Sequence, residues 1–124
     1  MAGLTLDAGA LIAYERGDAR VREIIAVAYA RGFVPTIPAI ALAEVWRGDA
    51  KDARVARLLK ASSIEVIDEH LARKAGHLRR ATPGAGAIDA CIAVGVRKRG
   101  DTIATSDPND MQTLLGPSFT ILAV

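Results

Sequence analysis

Short apolar runs of strand character alternate with helical patterns along the whole chain, and no two-residue hairpin turn joins any of them. Strands that cannot fold back through a hairpin are joined by crossovers, and crossovers are right-handed and lay helices over both faces of a parallel sheet. The expected fold class is therefore α/β: a three-layer α/β/α sandwich with a mainly parallel central sheet of about five strands. At 124 residues, the chain fits one domain spanning positions 1–124, and a compact domain of that size buries roughly two-thirds of the surface its unfolded form exposes.

Leu4 to Leu6 is the first strand candidate, followed by a brief helix that ends near Gly17. Val21, Ile24, Ile25 and Ala28 recur at i, i+3, i+4 and i+7, which predicts an amphipathic helix over 19–30 stopped by Gly32. Phe33 to Ile37 reads as a strand, and Pro38 opens a helix that Gly48 closes. Val55, Leu58 and Leu59 mark a helix within 49–60, before a β-branched run at Ile64 to Ile67. Asp68 caps a helix through Ala81 with Leu71, Ala75 and Leu78 inward. The loop "TPGAG", the helix "AIDACIAVGVRKR", the strand "DTIAT", the turn "SDPND", a helix through Leu115 and a last strand "FTILAV" complete the chain.

Asp7 and Asp107 each follow an apolar strand and precede a helix. Ligands of open α/β sheets bind at the carboxyl ends of the strands, so both are site candidates; aspartate at such a junction is equally a common helix cap. Glu44 is the only polar residue between Pro38 and Trp46, with an exposed stripe and an i,i+3 pairing with Arg47 as the alternative. Asp89 is the sole polar residue from Ala87 to Val96, near a helix start where the dipole favours an anion and a capping role with Gly86 stays open. Convergence of the four on one point accounts for all of them together.

Carboxylates drawn together repel by about 4 kcal/mol per close pair at an effective dielectric of about 20, so an all-oxygen cluster implies bound divalent cations. Mg²⁺ or Mn²⁺ matches such ligands, and the chemistry that suits them is phosphodiester hydrolysis, with metals about 4 Å apart aligning a water for in-line attack. Sixteen Lys and Arg against fourteen acids give a net charge of +2; without those four acids the count is sixteen against ten, or +6, a sign suited to phosphate backbones. Arg79, Arg80, Arg97, Lys98 and Arg99 are the densest basic groups, and solvated helix ends explain them equally well.

The stretches "LTLDAGALIA", "PAIALAEVWRG", "AIDACIA" and "IATSDPNDM", in this order and spacing, resemble the PIN-domain nucleases, most closely their VapC-type toxins, over essentially the whole length. The resemblance implies that the metal-site and catalytic acids are Asp7, Glu44, Asp89 and Asp107. Positive charge, not the resemblance, makes Arg47, Arg79, Arg80, Arg97, Lys98 and Arg99 candidate RNA contacts, and Ser106 is a further supporting candidate, whereas the resemblance itself has Thr105 and Asp110 support the acids. It further implies Mg²⁺- or Mn²⁺-dependent endoribonuclease activity, a homodimer, and a VapB-like antitoxin that blocks the site. One position departs from the pattern: the hydroxyl often found two residues after the first acid is Gly9 here.

Other signals read more plainly. Cys91, the only cysteine, sits in an apolar segment as a core thiol. His70 and His77 are about 10.5 Å apart along one helix, too far to share a metal, and read as surface residues. "GAGAID" lacks the third glycine of a dinucleotide fingerprint and the lysine of a P-loop, leaving a flexible helix entry. Trp46 is expected in the core or a dimer interface, or stacked on a base. No signal peptide or membrane span is expected, which predicts a soluble cytoplasmic protein. Aspartyl phosphotransfer also places acids at strand ends, but the second acid or the last-strand lysine it wants is missing from "DAGAL" and "FTILAV". The non-enzymatic alternative is a dimeric α/β interaction module whose acids are caps and surface residues.

Overall fold

The computed structural model describes residues 3–124. Five strands, β1 (Leu4–Leu6), β2 (Thr36–Pro38), β3 (Ser63–Glu65), β4 (Thr102–Thr105) and β5 (Ile121–Ala123), form one sheet in the order β3-β2-β1-β4-β5. Every neighbouring pair is parallel. The connecting helices are α1 (Ala8–Glu15), α2 (Ala19–Ala30), α3 (Ala39–Val45), α4 (Ala53–Lys60), α5 (Glu69–Ala81), α6 (Ala87–Arg99) and α7 (Pro108–Leu115).

From β1 the chain steps outward to β2 and β3, then crosses back to β4 and β5 on the other flank. Right-handed crossovers turn that reversal of direction into a change of face. Accordingly α1 packs with α2, α3 and α4, while α6 packs with α5 and α7, and α3 and α6 also meet, bringing together the helices that carry Glu44 and Asp89. The central strands β1, β2 and β4 are buried along their whole length, and the edge strands β3 and β5 are not. Leu4, Leu6, Leu11, Ile37, Ile92, Ile103, Met111 and Leu114 fill the two interfaces between sheet and helices.

Helix ends follow their caps. Asp18 accepts from the Val21 amide and Asp68 from the Leu71 amide, which fixes the starts of α2 and α5. Gly100, with φ +69°, ends α6 in the left-handed conformation. Among the boundaries that differ from expectation, β3 is Ser63–Glu65 and β5 only Ile121–Ala123, and two others have a visible cause. β2 begins at Thr36 rather than Phe33, because Pro35 carries no N–H for a ladder. α3 ends at Val45, short of Gly48, where Trp46 turns extended and the Asp52 carboxylate gathers the Arg47, Gly48 and Asp49 amides. Trp46 is thereby 46% exposed and lines a shallow apolar groove with Leu42 and Leu59, so it is not a core residue. Among the described residues no helix is long and apolar enough to cross a membrane.

Candidate active site

β1 and β4 are the strands between which the chain reverses direction, and ligands of open α/β sheets bind outside the carboxyl ends at such a point. A cleft of 560 Å³ opens there, lined by Asp7, Glu44, Asp89, Asp107 and Ser106, with Ile12 and Ile92 among its apolar walls. A larger cavity of 900 Å³ lies at the opposite end of the sheet, beside Leu4, Thr102 and Phe119, where this topology places no site.

Asp7 leaves β1 directly beside β4, its amide donating to the Ala104 carbonyl at 3.2 Å. Its Oδ1 caps α1 by accepting the Ala10 N–H at 2.9 Å, so the cap and the cleft acid are the same side chain. The fully buried Thr105 hydroxyl accepts the Asp107 N–H at 2.9 Å, and its proximity to Asp7 helps hold that carboxylate's charge. Asp107 precedes α7 with Pro108 at its start, but its side chain makes no capping bond. The capping turn expected of "DPND" therefore does not account for this carboxylate.

Gly9 has its own explanation here. A Cβ built on it would overlap the Ser106 hydroxyl and Cβ. Ser106 lines the cleft from the far strand, in the space that a side chain at position 9 would take.

Asp89 enters from the first turn of α6, whose N-cap Gly86 offers no side chain and where no side-chain capping bond forms. Glu44 enters from α3 and is exposed. The pairing expected between Glu44 and Arg47 is absent, because α3 has ended before Arg47, which bonds Glu15 and approaches Asp52 instead. Asp110 lies outside this cleft, in an adjoining cavity that Asp89 also lines.

Burial pushes the Asp7 carboxyl above its ordinary 3.8, with the Thr105 hydroxyl and the Ala10 amide pulling the other way and the Asp107 charge adding to the rise. Asp89 is likewise raised, by burial first and then by the charges of Asp107, Asp110, Asp7 and Glu44. The four acids thus share one electrostatic environment, and among the described residues no Lys, Arg or His lines the cleft to relieve it. Among the described residues no three acids stand close enough to form a ready-made metal cage. The donor set nevertheless fits a hard cation, since Mg²⁺ usually keeps several waters, binds through one or two carboxylates and completes its shell with substrate phosphate.

The basic candidates separate into two places. Arg79 donates to the Ala85 carbonyl, in the loop that leads to the cleft wall at Gly86, and Arg80 follows it on α5. Arg97 and Lys98 lie at the far end of α6, with Arg97 donating to the Leu114 carbonyl at 2.7 Å and 3.2 Å. Arg99 is turned inward to Glu65, Asp101 and Thr5, and Arg47 is held by Glu15. His77, expected at the surface, and Lys74, which the sequence did not single out, face Arg97 and Lys98 across a groove between α5 and α6. Their signal was the i,i+3 spacing on one helix face, visible only once α5 was known to pack beside α6.

The architecture is shared with solved toxin–antitoxin proteins. VapBC2 from Rickettsia felis bound to a promoter DNA fragment matches with a TM-score of 0.77 and 14% identity, covering 98% of each chain. A toxin–antitoxin complex from Klebsiella pneumoniae gives 0.76 and 17%, covering 98% of this chain and 97% of the other. DNA-bound VapBC from Salmonella typhimurium gives 0.70 and 20%, covering 99% and 98%. No curated protein matches the chain in sequence. The PIN domain profile matches residues 4–112, a span that takes in all four cleft acids, and the chain belongs to the PIN domain family.

Proposed function

We propose that this chain is the toxin of a toxin–antitoxin pair, a metal-dependent endoribonuclease that hydrolyses RNA phosphodiester bonds in the cytoplasm as a homodimer. Asp7, Glu44, Asp89 and Asp107 are the acids that would hold Mg²⁺ or Mn²⁺, one or two carboxylates to an ion with water and substrate phosphate completing its shell, and a cognate VapB-like antitoxin restrains the site. The observation that carries this reading is the acid cleft itself: four carboxylates from four separate segments line one opening that holds no basic side chain. The fold shared with toxin–antitoxin complexes supports the partner.

When bound, the cation supplies activation of water and neutralisation of charge at the phosphate. The chain's own part is placement. Asp7 is held by the Ala10 amide at 2.9 Å, so little reordering is needed when substrate arrives. Thr105 fixes the backbone at Asp107 by accepting its N–H. Ile12, Ile88 and Ile92 give the cleft apolar walls, which strengthen the interactions made between them. Asp110 adds negative charge behind Asp89.

The test is cleavage of a mixed RNA pool, with a matched DNA pool beside it, in Mg²⁺, Mn²⁺ and chelator. Wild type should cut RNA only with metal, and Asp7→Asn should lose roughly 100-fold or more. Cleavage that survives chelator, or that Asp7→Asn leaves intact, refutes the mechanism. No cleavage under any condition returns the chain to the non-catalytic interaction module.

A further inference from the structure

Charge is distributed very unevenly along this chain. Between Glu69 and Arg99 there are seven Lys or Arg and two acids, a balance of +5, whereas the whole chain carries +2; the other residues therefore sum to −3. The positive stretch is one structural unit, the α5–α6 hairpin. Part of it is neutralised locally, since Arg99 turns inward to Glu65 and Asp101 and Arg73 pairs with Glu69.

What remains includes a groove of 500 Å³ lined by Lys74, His77, Arg97 and Lys98 over Leu78 and Val94, with no acid in it. The dipole of α6 favours cations at its last turn and so explains Arg97 and Lys98. It does not explain Lys74 and His77, which sit in the middle of α5, all the more because the Lys74 charge facing Arg97 and Lys98 is repelled by them. Arg97 is also preset, its Nε and Nη2 both held by the Leu114 carbonyl.

We propose that this groove binds the phosphate backbone of RNA flanking the scissile bond, and thereby sets a minimum length for efficient substrates. The inference rests on the nuclease reading above and adds where the substrate lies. An acid cleft repels a polyanion, so affinity for backbone must come from outside it. Arg97 and Lys98 are eight and nine residues beyond Asp89 on α6, about 12 and 13.5 Å along the axis and about 80° and 180° round it, so a strand reaches the groove by passing over the flank of the helix. Arg79, bonded to Ala85 near the cleft wall, lies on the α5 stretch that joins the two places.

The test uses Lys74→Gln/Lys98→Gln in the full chain, both side chains being exposed, with Asp7→Asn added wherever binding is measured without cleavage. Fluorescence anisotropy with labelled polyuridylate should show about tenfold weaker binding at low salt. The slope of log affinity against log salt should shrink by about 1.4, two contacts at about 0.7 each. Labelled diuridylate, too short to span both places, should bind as before. In the active background the double variant should raise KM for long RNA and leave kcat unchanged. Unchanged affinity and slope for polyuridylate would overturn the proposal. An equal loss for diuridylate would overturn it too, as would unchanged RNA binding with weakened self-association, which would assign the groove to protein contact. Failure of the nuclease reading shows separately, as absent metal-dependent cleavage by wild type, while the binding assay still reports on the groove.

Discussion

Asp101 and Asp7 are almost equally inaccessible, at 4% and 5% exposure, and they flank the two adjacent strands β4 and β1. Their surroundings are opposite. Asp101 accepts from Arg99 Nε and from the Thr5 hydroxyl, both at 2.8 Å, and the same guanidinium pairs with Glu65 and donates to Thr5 at 3.0 Å. Gly95 leaves the space in which Glu65 lies against α6. Asp7 has an amide, a hydroxyl and three further acids around it, and no cation. The protein therefore ties one pair of acids to an internal cation, one guanidinium shared between two carboxylates with Glu65 Oε1 left unpartnered, and gives the other group no internal cation at all. The first arrangement holds elements together; the second prepares a binding site.

The largest test of that contrast is Arg99→Met. Removing one partner of a buried ion network leaves its charges uncompensated, and urea unfolding should show a loss of about 3–5 kcal/mol. A loss below about 1 kcal/mol would mean that water relieves Glu65 and Asp101 in place of the arginine. Next in size is the response to metal. Mn²⁺ or Mg²⁺ at a hundredfold excess over its dissociation constant should stabilise the wild type by about 2.7 kcal/mol, seen as a rise in Tm. Glu44→Gln and Asp89→Asn should blunt that rise, whereas Arg99→Met should keep it despite its lower starting point. An undiminished rise in Glu44→Gln would remove Glu44 from the site.

Gly9→Ser asks whether the cleft rim is packed as the Ser106 overlap indicates. Overpacking should cost about 1–3 kcal/mol, and adding Ser106→Gly should return most of it, a non-additivity that a double-mutant cycle reads directly. Additive effects would place Ser106 clear of position 9.

The smallest expected effect is in pH. Asp7 and Asp89 are both raised above 3.8, so in the window between that value and their folded values the native state binds more protons than the unfolded chain. Stability in chelator should therefore fall as pH climbs through this window and stay lower above it. Asp7→Asn, which keeps a side-chain acceptor for the Ala10 amide, should flatten that fall. A stability that instead grows with pH because of these groups would contradict the unrelieved charge.

Much of the architecture was legible in local chemistry. The alternation of strands and helices led to a parallel sheet. Asp68 marked a helix start where the backbone needs a side-chain acceptor, and Gly32 the stop just past α2. Where reading failed, the cause was non-local. α3 looked longer than it is because nothing near Trp46 announces that Asp52 will collect the amides of the following loop. Arg47 and Arg99 looked like surface cations because their partners, Glu15 and Glu65, are 32 and 34 residues away in the chain.

By itself, the sequence determined the element order, the sheet class and the identity of four acids set in apolar or strand-end positions, all of which depend on neighbours within a few residues. Only the tertiary structure decided that those acids line one cleft, that no arginine enters it, and that Lys74 and His77 meet Arg97 and Lys98 across a helix pair. Cap and helix preferences act over one turn of chain. Electrostatic relief depends on distance in space, which the crossover from β3 to β4 sets.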